Sequence, residues 1–487
     1  MLQCVINVKD NRLYFDGDVP VEEIRNITSW LVQGHQFSQA YKKGHWDGRK
    51  HLFDKKTNSC PTGLLALVLE HLLAVRPGLR ITVQEAPQAV FPVGGRVEVR
   101  GKLKGLFGLG IFDYQMEAAL AAIDKKRGII KIATNGGKFS IAAAIINYLH
   151  LPTLFVVPGI ELLYQSVENF SDLLEIDKNF IGVMGDGHFS VGEWITVATA
   201  DTLHSRLFGK TVPKELTKIR WECLIVDECH GSGSDTWYEI MDVIPATWRI
   251  GTSGTPLNRS DGNTLRLIAQ TGPIIYEVAN KTLVERGISV QPLVKLISIN
   301  EPKIPKKRNK VKVTYAEAYD EGVTNNFILN QKVVEELMAL LMKNKKVIIM
   351  IDRIEHGENL LNMYEELRKN TNKFTPKIEF MHGTLDSESR TKILNDFKGM
   401  TGTRGIIATS ILNQGVDMNC IDALILAGGG RAVIPLLQRI GRGLRTGPNK
   451  DKLLIIDFMN SCHAFLAKHA TIRLQTYQQQ DCFEFIK

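Results

Sequence analysis

Short apolar runs, each followed by turn residues and then by a helical pattern, recur along this chain, and that alternation leaves few choices of fold. A strand covered on both faces reads as an unbroken apolar run, and consecutive strands joined by helices must lie parallel. In a first block, strands are predicted over 128–132, 153–157, 195–198 and 223–226, with helical stretches such as 141–146 between them. A second block repeats the pattern over 346–350, 377–380, 405–408, 423–426 and 453–456. Two doubly wound α/β domains are the expected result. Between the blocks, 301–312 carries Pro302, Pro305 and the cluster Lys306-Lys307-Arg308, and reads as a linker or a solvated surface loop. The first hundred residues differ in kind. They mix short strand-like runs with one amphipathic helical pattern over 21–32, and a stretch rich in Pro and Gly over 87–94 follows. The expected division is a small N-terminal α+β domain over 1–105, then domains over 106–285 and 286–487.

Composition narrows the class without naming a function. No segment stays apolar for the ~18–20 residues that a bilayer span requires, so no membrane partner is expected. The net charge of +8 over 487 residues is compatible with a polyanionic partner but is a modest excess. The opening Met1-Leu2-Gln3-Cys4-Val5 lacks the pattern of a signal peptide. Seven scattered cysteines, with no C-x-x-C pair, point to a reducing compartment and no zinc site. An intracellular, cytoplasmic protein is expected.

The strand ending at Ile132 runs into Ala133-Thr134-Asn135-Gly136-Gly137-Lys138 and then into a helix. A phosphate-binding loop needs that order. Glycines let backbone N–H groups face phosphates, the helix N-terminus favours negative charge, and the lysine reaches the β- and γ-phosphates. A Gly-Gly-Lys run also arises by chance in loops. Farther on, the apolar strand Leu224-Ile225-Val226 delivers Asp227 and Glu228 at its C-terminal end. There Asp227 can hold Mg²⁺, directly or through water, and Glu228 can polarise an attacking water. ATP and Mg²⁺ are the cofactors these residues suggest.

With these segments in place, the chain resembles superfamily 2 helicases, whose second motif Asp227-Glu228-Cys229-His230 matches letter for letter. The resemblance implies two tandem RecA-like domains. It also implies further roles, in the family's motif order. Gln115, in Asp113-Tyr114-Gln115, would recognise adenine. Thr134, Asn135, Gly136, Gly137, Lys138 and Ser140 would surround the phosphates. Pro158 and Gln165, with Leu162 and Leu163, and Thr199, in Val197-Ala198-Thr199, would touch the nucleic-acid backbone. Ser253 and Thr255, in Ser253-Gly254-Thr255-Pro256, would couple hydrolysis to strand movement. In the second block, Thr409 falls in a nucleic-acid motif, and Gly415 and Asp417, in Gln414-Gly415-Val416-Asp417, belong to the nucleotide site. Gln438, Arg442 and Arg445, in Gln438-Arg439-Ile440-Gly441-Arg442-Gly443-Leu444-Arg445, complete the set. The two arginines would be fingers on the γ-phosphate, since a planar, always-charged donor suits a transferring phosphoryl group. The implied catalytic set is Lys138, Asp227, Glu228, Gln438, Arg442 and Arg445.

The chain departs from the family at Phe139, where a Thr or Ser normally offers Mg²⁺ a hydroxyl. Ser140 points about 100° away on a helix, and Asn135 stands where a glycine is usual. Mg²⁺ keeps several waters in such sites, so slower hydrolysis is expected rather than none.

Substrate choice must come from outside the motor. The N-terminal region carries Tyr41-Lys42-Lys43-Gly44-His45-Trp46-Asp47-Gly48-Arg49-Lys50-His51, and basic residues interleaved with aromatics can hold phosphates and stack on bases. Lys43, Trp46 and Arg49 are the expected contacts, although Trp46 and Phe53 equally suit the core of a small domain. The Trp46-Asp47-Gly48 and Pro61-Thr62-Gly63-Leu64-Leu65 segments, together with 352–357 and His382-Gly383 with Arg390, resemble phage branch-migration helicases of the UvsW type. That resemblance implies forked, four-way and single-stranded DNA as substrates. It further implies recombination proteins as partners, a host-cytoplasm location, and His382 as a nucleic-acid contact; a monomer is the expected state. An RNA helicase, a duplex-DNA translocase and a nucleic-acid-binding protein with a disabled ATPase stay open as alternatives.

Overall fold

The computed structural model describes residues 2–85, 111–133, 135–231, 235–254, 262–308, 311–370, 376–399, 404–409, 420–430, 440–441, 444 and 450–486. The chain forms two compact units, 1–278 and 279–487. Both contain the parallel sheet that the apolar runs predict.

The first unit is built on an eight-stranded sheet in the order His188–Phe189, Ile181–Gly185, Ile195–Thr199, Thr153–Val157, Cys223–Asp227, Trp248–Ser253, Arg127–Ile132, Ile274–Val278. Every pairing is parallel except that of the short edge strand His188–Phe189. The C-terminal ends of Arg127–Ile132, Cys223–Asp227 and Trp248–Ser253 therefore open on one edge, where such folds place their ligand sites.

The second unit has seven strands, Ile378–Met381, Gly405–Ala408, Val347–Met350, Ala423–Leu426, Lys452–Asn460, Gln291–Ile299 and Glu484–Ile486, all parallel. Alternate residues of a strand serve opposite faces. Val347, Ile349 and Ile351 pack with Leu329, Val333 and Leu337 of helix Phe327–Met342, while Ile348 and Met350 pack on the other side with Phe397 and Tyr477. Burial on both faces is why these strands read as continuous apolar runs. The stretch 301–312 lies inside this unit rather than joining two, because Gln291–Ile299 before it already pairs along its whole length with Lys452–Asn460. Part of it forms the hairpin Lys307–Arg308 with Val311–Lys312.

His356 lies fully buried in this unit, its neutral Nε2–H donating to Asn330 Oδ1 at 2.9 Å, while Nδ1 has no hydrogen-bond partner. Burial pushes its pKa down from 6.5 to about 4. A depressed basic group stays neutral in the fold while the unfolded chain takes up a proton. Stability is therefore complete above pH 6.5 and falls as pH drops from 6.5 towards 4, by about 3 kcal/mol from this group. His356→Leu is expected to flatten that part of the pH–stability curve, followed by urea unfolding at each pH.

The N-terminal residues form a four-stranded sheet, Ser59–Pro61, Arg12–Gly17, Gln3–Lys9, Arg80–Glu85, covered by helix Leu65–Val75. The helix predicted over 21–32 is shorter, Val21–Ile27, because the chain turns at Thr28 into strand Ser29–Leu31, which pairs with Arg49–His51. This domain shares its core with the flank of the eight-stranded sheet. Ala269 of helix Asn263–Thr271 is buried among Ile6, Phe15, Leu64 and Leu72, with Leu265 and Ile268 beside it. At one end of that helix, Trp30 lies against Gly262, where a Cβ would come 2.2 Å from its Nε1. At the other end, Gly63 is so close that a Cβ would meet the Ile268 carbonyl oxygen at 2.0 Å. A polar junction completes the contact. Arg249, only 1% exposed, donates to Asn11 Oδ1 at 2.8 Å and to the carbonyls of Ile244 and Gln270 at 2.7 Å. Asn11 in turn donates to the Ile244 carbonyl at 2.8 Å.

Candidate functional site

The loop after strand Arg127–Ile132 ends at Gly137, which takes the left-handed conformation (φ +82°) and starts helix Lys138–Leu149. No side chain caps that helix. Its first N–H groups have no intrahelical acceptor, so they are available to an anion at the macrodipole's positive end. A Cβ on Gly137 would strike Gln115 Nε2 at 2.1 Å, so only glycine fits beside that amide. Gln115 is buried and uses both ends: Nε2 donates to the Gly136 carbonyl at 3.0 Å, and Oε1 accepts from Phe112 N at 3.0 Å. Tyr114 OH donates to the same carbonyl at 3.0 Å. Asn135, at φ +79°, supplies the second left-handed turn of the loop.

Strand Cys223–Asp227 carries the carboxylates to this loop. Lys138 Nζ pairs with Glu228 Oε1 and lies 3.7 Å from Asp227 Oδ1. Asp227 Oδ1 accepts from Thr252 Oγ1 and from Glu228 N, both at 2.9 Å. Glu228 sits at φ +48°, a left-handed conformation that costs a non-glycine residue energy and is found where function demands it. Its other oxygen, Oε2, is 3.2 Å from His230 Nδ1, which is also 3.0 Å from Ser253 Oγ. A continuous polar path thus runs from Lys138 through Glu228 and His230 to Ser253.

Burial works against every charge here. It would lower the Lys138 ammonium, but Glu228 and Asp227 outweigh it and its pKa rises. Burial would likewise lift Glu228, yet Lys138 and His230 hold that carboxyl down at about 2. For Asp227 burial prevails over Lys138 and Thr252, and its pKa is raised. Carboxylate oxygens suit a hard cation such as Mg²⁺, and Asp227 is the residue here that would hold one.

Phe139 points away from this chemistry. Its ring packs against Phe155 at 5.9 Å and Phe170 at 6.0 Å, and those two meet edge to face at 4.9 Å. The departure from the usual hydroxyl is thus part of an aromatic cluster behind the loop. Ser140 Oγ lies on the loop side, 3.6 Å from where a Gly137 Cβ would stand.

Comparison with known proteins identifies the fold that carries this site. Residues 109–258 match the family "Type III restriction enzyme, res subunit", and residues 330–447 match the "Helicase conserved C-terminal domain". The chain is a superfamily 2 helicase. This helicase is 28% identical over 378 residues to "DNA 3'-5' translocase XPB2" of Sulfurisphaera tokodaii, covering 70% of the chain and 80% of that protein. It is 22% identical over 486 residues to "ATP-dependent DNA helicase uvsW" of Enterobacteria phage T4, covering 94% of the chain and 93% of that protein. Among solved structures it shares its fold with the type ISP restriction-modification enzyme LlaBIII bound to DNA, with TM-score 0.57 and 13% identity, covering 86% of this chain and 34% of that one. Two RecA-like domains and an ATP-dependent enzyme follow. Among the described residues, no helix is long and apolar enough to cross a membrane.

In this helicase Gln115, Asn135, Gly136, Gly137, Lys138, Ser140, Asp227, Glu228 and Ser253 come together at one edge of the first sheet. Pro158 and Thr199 end the neighbouring strands Thr153–Val157 and Ile195–Thr199 on the same edge, with Gln165 on the helix that follows Pro158. Thr199 is buried and donates to Thr202 Oγ1 at 2.9 Å. In the second unit His382 and Thr409 follow the paired strands Ile378–Met381 and Gly405–Ala408. Thr134, Thr255, Gly415, Asp417, Gln438, Arg442 and Arg445 lie outside the described residues.

In the N-terminal domain Trp46 and Arg49 have structural engagements. Trp46 Nε1 donates to the Arg49 carbonyl at 2.8 Å, and Arg49 Nε donates to Ser29 Oγ at 2.8 Å. Lys43 is exposed. Sequence reasoning passed over Thr252 and His230. Thr252 had no motif to mark it, and His230 was read only as a motif letter.

Proposed function

We propose that this helicase is an ATP-driven DNA motor that unwinds forks and four-way junctions and moves their branch points, in recombination, repair and replication. The observation that carries the motor reading is the path Lys138–Glu228–His230–Ser253, which joins the phosphate loop to the segment expected to couple hydrolysis to movement. DNA as the track is supported by the relatives' names, a DNA translocase and a DNA helicase. The branched form of that DNA is supported by an accessory domain fastened to the motor and bearing a basic, aromatic lobe.

In this reading the turn over 134–137, with Lys138, takes the phosphates of ATP, Gln115 reads adenine, and Asp227 holds Mg²⁺. Glu228 orients and deprotonates the attacking water, since its carboxylate stays charged at working pH. Gly415, Asp417, Gln438, Arg442 and Arg445 carry the remaining roles that the helicase motifs give to ATP binding and hydrolysis. Ser253 and Thr255 pass the change to the track, where Pro158, Gln165, Thr199, His382, Thr409 and Lys43 meet the backbone. The protein works as a monomer inside the cell, in the host cytoplasm if phage-encoded, alongside recombination proteins.

Phosphate release should be measured with single-stranded DNA, forked DNA and RNA, together with unwinding of a four-way junction, against a Lys138→Ala control. Stimulation by forked DNA and junction unwinding are expected. Strong RNA preference, or junction binding with no turnover above the control, would overturn the reading.

A further inference from the structure

The loop between the paired strands Ser29–Leu31 and Arg49–His51 forms a lobe of its own. It is closed by the backbone bond from Val32 N to the Gly48 carbonyl at 2.8 Å and by the His35 and Tyr41 rings meeting edge to face at 4.7 Å. Gly48, at φ +78°, admits no side chain because a Cβ would press on both rings. The lobe holds its shape without a core of its own, and a large apolar side chain points outward. Phe37 is 75% exposed, with Leu31 at 52% and Tyr41 at 38%.

Charge distinguishes this surface from a protein-docking face. Across 29–51 there are four basic residues, Lys42, Lys43, Arg49 and Lys50, and a single acid, Asp47. Asp47 is already engaged, by Arg49 N at 3.0 Å, His51 Nε2 at 2.6 Å and the Arg25 guanidinium at 3.8 Å. Lys42, Lys43 and Lys50 are exposed, and among the described residues none has a carboxylate in ion-pair range. Exposed aromatic side chains and uncompensated lysines on one lobe fit a nucleic-acid strand, whose bases stack while its phosphates pair. The lobe is also fixed in place, because Trp30 at its base is seated on Gly262 of the motor.

We propose that Phe37 stacks on an unpaired base at the branch point, with Lys42, Lys43 and Lys50 holding the adjoining phosphates. This rests on the nucleic-acid motor reading above and adds to it the residue that meets the opened base.

The test uses the full chain and a DNA fork carrying 2-aminopurine as the first unpaired base. The wild-type protein is expected to quench the probe. Phe37→Ala is expected to remove the quench and weaken fork binding by roughly 5- to 150-fold, the range of one base stack. Phe37→Trp is expected to restore both. Phe37 is exposed, so the melting temperature should not move, and this separates lost stacking from lost folding. An unchanged quench and affinity in Phe37→Ala would overturn the proposal and leave the surface to a protein partner. The same labelled fork built in RNA separates the two readings. A quench lost in Phe37→Ala on RNA alone would refute the DNA assignment and uphold the stacking.

Discussion

Glu228→Gln is expected to lower nucleic-acid-stimulated ATP turnover by about 10²–10⁴-fold, the usual cost of removing a general base, while nucleotide continues to bind. The amide keeps the shape of the side chain but cannot accept a proton from water. Burial would lift the wild-type carboxyl, but Lys138 and His230 outweigh it and hold its pKa down at about 2. In the proposed reading it would become an effective base once Lys138 turned from it to the phosphates. The substitution removes that exchange at its source, so the loss should fall on kcat with little change in nucleotide affinity. Phosphate release and fluorescent-nucleotide binding, measured side by side, check it. A loss of less than tenfold would remove Glu228 from the role of base.

Gly63→Val is expected to separate the accessory domain from the motor. A Cβ there would lie 2.0 Å from the Ile268 carbonyl oxygen, 2.6 Å from that of Ala269 and 2.8 Å from Gly272 N. All three are backbone atoms, which cannot swing aside as a side chain could. The junction must open, at a cost of about 3 kcal/mol or more, the upper end for overpacking. Limited proteolysis should release the N-terminal domain from the variant and leave the wild type intact. Gly78→Ala, where nothing lies within 4 Å of the added Cβ, is the control expected to behave as wild type. If Gly63→Val resists protease equally, the close approach is not what fastens the domain.

What the sequence made legible follows from where the chemistry is local. Lys138, Asp227 and Glu228 sit at strand ends next to the glycines and apolar runs that place them, so pattern alone predicts their meeting. Strand Trp248–Ser253 escaped because Arg249, its second residue, looks like a surface residue, although it is buried by partners distant in sequence. Strand Ile181–Gly185 was hidden by Gly182 and Gly185, whose lack of side chains serves close contacts with Gly192 and Leu163. Trp46 could be read as core or as contact, and only its bond to the Arg49 carbonyl shows it bracing the lobe. Phe139 looked like a missing metal ligand. Its meaning lay in Phe155 and Phe170, on other elements, which no local pattern joins to it.

The helix Asn263–Thr271, buried against the N-terminal domain, begins nine residues after Gly254 of the coupling segment. The accessory domain is therefore a fixed tool bolted to the moving part, and whatever turns the first motor sheet carries Phe37 with it at constant reach. It also means the tool cannot be removed cleanly. Trimming the first 85 residues would bare Leu265, Ile268 and Ala269 and strip Arg249 of Asn11, so a silent truncated protein would report a collapsed scaffold rather than a lost grip on DNA.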